Sequence, residues 1–274
     1  MKIIIFLSIY AGITFSQPTK GIELYASYKF TWLKDTVHLE YNDEDYNLVK
    51  TTNNIYFFPS AREYNDSIFT AAGYNMSNSS DMEQARRWQK DWNEGRFAQY
   101  IKWPLSELIY FSDLQRKDDG YVRFRDVSIP QYYSLTVDVP SWSITNERDT
   151  LMGLKVIEAK TIYGGRNYTA LFAPSIPINE GPYVFRGLPG LILKVVDDEN
   201  KYSFEIIRYK KNVDNCYIPI DIDWMHKPVS YDEWVQVRKE NYYNPRMIAQ
   251  VPIDRLENYR NYVLKNSRYL LMER

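Results

Sequence analysis

The chain has 274 residues, 45% of them hydrophobic and 25% charged, with 34 Lys and Arg against 35 Asp and Glu. That length fits one large domain or two small ones with a real core. The lack of a basic excess excludes the electrostatic footprint of a nucleic-acid or anionic-membrane binder. Tyr is over-represented, at 25 residues, which argues for sheet first and for ligand-stacking surfaces second.

The N-terminus, "MKIIIFLSIYAGITFSQ", places Lys2 before an apolar run from Ile3 to Phe15, then the small residues Thr14 and Ser16 around Phe15. This is a signal-peptide pattern, with cleavage expected after Ser16 and a soluble exported chain from Gln17. The apolar run is too short to span a bilayer, and no later segment is expected to do so. Cys216 is the sole cysteine. An internal disulfide is therefore excluded, and a half-buried small residue is the expected role for Cys216.

From Gly21 to Phe30, Ile22, Leu24, Ala26, Tyr28 and Phe30 alternate with polar neighbours, the period of a half-buried strand. "TVHLEY", with Val37, Leu39 and Tyr41, repeats that pattern, and "YNLVKTTNNIYFFPS" predicts two strands around Asn53-Asn54. Residues 78–116 break the alternation. Met82, Ala85, Trp88 and Trp92 are spaced by three and four, predicting an amphipathic helix over about 81–101. Ser80 and Glu83 would form its capping box, Gly95 would weaken its middle, and Pro104 would end it. Packing is one role for Trp88 and Trp92. Lining a binding face that the helix covers is the other.

Strand patterns return in "YVRFRDVSI", "YYSLTVDV" and "SWSIT", then in "LKVIEAKTIY" and "NYTALFAP" joined by Gly164-Gly165. A two-glycine link between alternating runs predicts an antiparallel hairpin. "GLILKVV" and "KYSFEIIRYKK" predict another around Asp197-Asp198-Glu199-Asn200. In the tail, Ser230 with Glu233 and Asp254 with Glu257 are capping boxes of helices separated by Asn244-Pro245. Strands in runs with few, segregated helices predict a mainly β (α+β) fold, a curved antiparallel sheet or half-barrel with helical cover, in one domain from 17 to 274.

"GPYVFRGLPGLILKVVDDEN", Gly181–Asn200, concentrates glycine and proline before a β-like run. A phosphate cradle would place glycines before a helix, and here they precede Leu191–Val196. The expected role of Leu188-Pro189-Gly190-Leu191 is a type II turn that launches a buried strand. Together with the upstream "GGRNYTALFAPSIPINE" and Trp142-Ser143-Ile144, this stretch resembles the GLPGLI family of secreted Bacteroidetes proteins. The sextet Gly187, Leu188, Pro189, Gly190, Leu191, Ile192 and the pair Gly181-Pro182 carry the match, over about 140–208. Val156 and Leu171 stand where relatives often have Cys and Trp. The resemblance implies an envelope setting, periplasmic or at the cell surface, with an outer-membrane receptor or other envelope protein as partner, and it implies no reaction.

Arg166, directly after the Gly-Gly turn, is either a structural arginine gripping loop carbonyls or a contact for an anion or partner. His38 and His226 lie far apart, and "DIDWMH" (Asp221, Asp223, His226) is the strongest cation candidate, with charged strand ends as its ordinary role. No nucleophile elbow or Cys/His pairing appears, so no catalytic residue, metal or cofactor is assigned. Asp35-Thr36-Val37, Asp66-Ser67-Ile68 and Asp149-Thr150-Leu151 resemble a Bacteroidetes O-glycosylation acceptor pattern. The leading expectation is a non-enzymatic ligand- or partner-binding module with a concave aromatic face. A structural or interaction subunit with a filled core is the alternative, ahead of a carboxylate-based hydrolase.

Overall fold

The computed structural model describes residues 21–35, 39–74, 83, 86–87, 90–91, 94–96, 111–117, 121–126, 131–219, 226–243 and 257. The signal-like segment 1–16, Trp88, Trp92, His38, Asp221, Asp223 and the Asp254 cap lie outside the described residues.

Twelve strands form one sheet: β1 (Ile22–Asp35), β2 (Glu40–Thr51), β3 (Asn54–Pro59), β4 (Phe111–Lys117), β5 (Tyr121–Asp126), β6 (Gln131–Thr136), β7 (Ser143–Leu151), β8 (Leu154–Tyr163), β9 (Arg166–Ala173), β10 (Leu191–Asp197), β11 (Tyr202–Val213) and β12 (Lys227–Pro228). Helix α1 (Ser60–Ala71) follows β3, and α2 (Tyr231–Tyr243) follows β12. The spatial order is β12-β6-β5-β4-β3-β2-β1-β11-β10-β9-β8-β7. Every pairing is antiparallel except β12 with β6. The fold is mainly β, an open, curved, mostly antiparallel sheet.

The topology forces the curvature. β6 and β7 stand ten strand positions apart, about 48 Å in a flat sheet. Only residues 137–142 join them, a link that reaches at most about 25 Å. The sheet therefore curls until its two ends face each other across a seam.

The concave side is filled. Tyr183, Val184, Phe185 and Leu188, all from the stretch after Glu180, are buried with Tyr28 and Phe30 (β1), Phe57 (β3), Tyr168 (β9) and Phe204 (β11). Tyr183 stacks on Phe204 at 6.3 Å, and Phe185 meets Tyr168 edge-on at 4.9 Å. A short segment touching strands so far apart in the order can only lie inside the curl. Burying each of these side chains contributes about 1.5–3 kcal/mol. Trp234 of α2 extends the same core by packing edge-on against Phe124 of β5. On the convex side, Ile22, Val49, Phe58 and Ile218 form a second, smaller cluster, and Asp66 and Phe69 are the buried residues of α1.

Local expectations divide. Gly164 and Gly165 both take positive φ, 55° and 75°, and the β8–β9 hairpin forms as expected, with Tyr163 opposite Arg166. Ser230 and Glu233 form a reciprocal capping box: each backbone N–H donates to the other's side-chain oxygen, at 2.7 and 3.2 Å.

Four details are corrected. The stretch from Tyr41 to Thr51 is one strand, and its turn to β3 falls at Thr52-Asn53, stapled by the Asn54 N–H donating to Thr51 Oγ1. The helix before β4 ends at Gly95 (φ 72°) and is not merely weakened there. Arg96 N donates to Asp91 O, a six-to-one closure with glycine in the left-handed position. β4 occupies 111–117 inside the stretch expected to be non-β. Helix α1 appears where no helix was expected, after Pro59 presets the backbone at its N-cap.

Candidate functional site

The Gly181–Ile192 segment is built by close approach. A Cβ at Gly181 would lie 2.7 Å from Ile192 Cβ and 2.8 Å from Phe185 O, and one at Gly190 would overlap the Ala173 carbonyl. The expected type II turn does not form. Gly190 N donates to Leu188 O at 2.8 Å, a tighter turn centred on Pro189, and Leu191 N donates instead to Ile176 O at 2.9 Å. The bond to Ile176 carries the chain straight into β10 beside β9. Proline's fixed φ suits the centre of such a turn. Leu191–Asp197 is strand, so the glycines cradle no anion at a helix start.

Three long-range hydrogen bonds fasten this segment. The Tyr28 hydroxyl donates to Ile192 O at 2.8 Å, Trp142 Nε1 donates to Arg186 O at 2.8 Å, and Arg116 Nη1 donates to Tyr183 O. Arg116, 3% exposed, also ion-pairs with Glu180. Tyr28 is fully buried, and desolvation with the nearby Glu180 charge pushes its hydroxyl far above the usual phenol value. Its role is that of a fixed donor.

Arg166 sits under the β10–β11 turn. Its Nη1 lies 3.6 Å from both Asp197 Oδ2 and Glu199 Oε2, and its guanidinium stands 5.2 Å from the Tyr202 ring centre. Its partners are carboxylates and an aromatic face of its own chain. Asp197 is buried. Burial raises its carboxyl above the usual range, against the opposing pull of the Tyr202 and Lys201 N–H groups and Arg166.

The seam between the sheet ends holds a cavity of about 270 Å3. Thr136 at the end of β6, Val137–Ser141 of the β6–β7 link, Ile162–Gly164 at the β8–β9 tip, and Tyr231 at the start of α2 line it. The link is pinned to β8 by Thr161 Oγ1 donating to Ser141 O at 2.7 Å. Ile162 is 75% exposed and Val139 49%, so the rim is apolar. Gly187 backs this wall, since a Cβ there would come within 3.0 Å of Val139 Cγ1. Beside it stands Arg186. Burial and the nearby Arg116 charge lower its pKa from the ordinary guanidinium value, while Glu180 and Tyr163 act the other way.

The remaining candidates are structural or distant. Cys216 is half-buried, and burial, with Glu63 adding, pushes its thiol up to about 12. His226 meets Tyr132 edge-on at 5.4 Å. Among the described residues no three His, Cys, Asp or Glu side chains converge, and no helix is long and apolar enough to cross a membrane. Of the two Asp-Ser/Thr-apolar matches within the described residues, Asp66 is buried and accepts from the Tyr217 hydroxyl, whereas Asp149-Thr150 lies on the exposed strand β7. The seam, Arg186 and the Arg116–Glu180 pair escaped the sequence-based search. The only signal that could have pointed to them was the brevity of the 137–142 link, legible only once the strand order is known.

The profile of a family described as "Protein of unknown function (Porph_ging)" matches residues 120–194, which run from β5 into β10 and include the whole Gly181–Ile192 segment. Comparison with curated proteins gives no match. Among solved structures, the chain is similar to those described as "Structure of PNGF-II in P21 space group" and "Structure of PNGF-II in C2 space group". Both are 11% identical, with TM-scores of 0.46 and 0.45 over 78% and 80% of this chain. In each case 32% of the solved chain is covered, so this chain spans about a third of their length.

Proposed function

We propose that the protein is a non-enzymatic binding module of the cell envelope, a member of the GLPGLI family, and that its recognition surface is the seam rather than the concave face. One observation carries this: Tyr183, Val184, Phe185 and Leu188 occupy the inside of the curl. Tyr28, Phe57, Tyr168 and Phe204 therefore pack against the chain's own segment instead of lining a cleft. The cavity at the seam keeps an exposed apolar rim in Ile162 and Val139, the arrangement expected of a recognition site. The export-type pattern of residues 1–16 supports a location outside the cytoplasm, and the proposed partner class is an envelope protein or outer-membrane receptor.

The test is a photo-crosslinking amino acid placed at Ile162, with Ile207 of β11, 41% exposed, as the control position. In the native host, an adduct of defined mass at 162 and none at 207 is expected. No adduct at 162, or equal adducts at both, counts against the seam. Export is checked separately by the intact mass of envelope-recovered protein, which should begin at Gln17.

A further inference from the structure

Strand β7 closes one end of the strand order, and among the described residues no strand pairs with its outer side. It is nine residues long and exposed along nearly its whole length, with Ile144 51% exposed. A long, exposed end strand offers a row of backbone donors and acceptors to any second chain. The other end of the sheet is covered. There β12 pairs with β6, Val229 N donates to Ser134 O, and Pro228 carries no N–H.

Along β7 its own side chains occupy the backbone instead. Against β8 the pairing runs Ser143 with Lys160 and Ile144 with Ala159, then resumes at Arg148 with Ile157. Thr145, Asn146 and Glu147 therefore stand opposite Glu158 alone, a bulge that bends the edge. Thr145 Oγ1 anchors it, donating to Glu158 O at 3.2 Å and accepting from Glu147 N at 3.1 Å. Arg148 Nη1 then staples it, donating to Thr145 O at 3.0 Å and to Glu147 O at 2.9 Å. Past the bulge, the hairpin turn decides which groups face outward. Met152 and Gly153 both take positive φ, the two-residue turn in which the flanking Leu151 and Leu154 bond each other. Thr150, one residue earlier, therefore points its N–H away from β8. That N–H is also taken, donating to Asp149 Oδ1 at 2.6 Å.

Charge acts in the same direction. Outward-facing residues pair only with outward-facing residues, so two antiparallel copies of β7 would meet about a two-fold axis passing opposite a residue. An axis at Glu147, Arg148 or Asp149 sets like charges directly against each other, which is destabilising.

We propose that Arg148, with the Thr145–Glu147 bulge it staples, is an edge guard that keeps β7 from pairing with β7 of a second copy. The guard is independent of what the seam recognises.

The experiment is sedimentation velocity on the purified protein and its variants at matched concentrations. The readout is the self-association that Thr150→Pro, which deletes an outward N–H, abolishes. The wild type should show none. Arg148→Val should self-associate at least tenfold more tightly than wild type, since it frees two carbonyls and removes the charge. Deletion of Asn146 and Glu147, which makes the β7–β8 ladder continuous, should do the same by a separate route. Adding Thr150→Pro to either should restore the wild-type profile. Lys160→Val, which places the same apolar residue on the interior strand β8, should leave it unchanged. Circular dichroism identifies the variants that are folded. A wild type whose self-association Thr150→Pro abolishes, folded edge variants that sediment as the wild type does, or a Lys160→Val protein that associates as strongly as Arg148→Val overturns the proposal.

Discussion

Arg116 of β4 is ion-paired with Glu180, 64 positions further along the chain, where the segment that fills the curl begins. The pair is the one charged tie between the wall of the half-barrel and its contents among the described residues. Removing one member of a buried pair strands the other charge, at a cost of about 3–5 kcal/mol. Glu180→Gln should be the harsher change, because it leaves Arg116 and Arg186 facing each other without their shared anion. Urea unfolding should place both Glu180→Gln and Arg116→Met several kcal/mol below wild type. The double variant should be less destabilised than the sum of the singles. Additive losses would mean that the two side chains act independently.

The glycines of the segment answer to space more than to turn type. At Gly181 and Gly190 a methyl group would run into Ile192 and the Ala173 carbonyl, so Gly181→Ala and Gly190→Ala should each cost about 1–3 kcal/mol or more through overpacking. Gly153, in the β7–β8 turn at φ 74°, has open space around its missing Cβ. Its alanine variant bears only the left-handed backbone penalty, about 1–2 kcal/mol. Thermal midpoints should therefore rank Gly153→Ala above the other two. The reverse order would locate the motif's constraint in conformation and not in packing.

These residues also show where sequence reasoning stops. The β8–β9 hairpin was legible because two glycines in sequence have one common use between alternating runs. The β7–β8 turn was not, because Met152 takes a positive φ of 53°, which nothing in a methionine advertises. Helix α1 was overlooked although Ala61, Tyr64, Ile68 and Ala71 recur at helical spacing, because the stripe is short, its fully buried residues are only Asp66 and Phe69, and it follows directly on the β-like run that ends at Pro59. The strand nature of Leu191–Val196 was legible from its apolar content, yet the tight turn before it depends on Ile176 offering a carbonyl. The seam, like the Arg116–Glu180 pair, is made by residues that meet only after the sheet has curled, and local periodicity carries no trace of that.

Arg166 can be separated from a binding role by pH. Burial raises the Asp197 carboxyl and Arg166 opposes that rise. A carboxyl whose folded pKa is raised favours the folded state most below its unfolded value, near 4, and loses that contribution as pH climbs through the folded value. Arg166→Met should raise the folded value further. Its destabilisation, about 1–3 kcal/mol for a buried carboxylate losing its cation, should be full at pH 7 and shrink toward pH 4. Asp197→Asn, which keeps an acceptor for the Tyr202 N–H, should flatten the wild-type profile over that window. Denaturant midpoints at four or five pH values suffice. A pH-independent Arg166→Met loss would detach this arginine from Asp197.

Cys216 offers the last check, on the convex side. Burial, with Glu63 adding to it, pushes the thiol up to about 12, so at pH 8 roughly one molecule in ten thousand carries the thiolate that reacts. Alkylation by iodoacetamide should accordingly run at least a hundredfold slower in the folded protein than in urea, where the thiol returns to its ordinary range near 8.5. The rate should climb about tenfold per pH unit between 8 and 10 without levelling off. Levelling below pH 9 would place the sulfur in water, and with it the Ile22–Val49–Phe58–Ile218 cluster that it packs against. The convex layer, unlike the concave one, would then be loosely held, since α1 adds little apolar surface of its own to secure it.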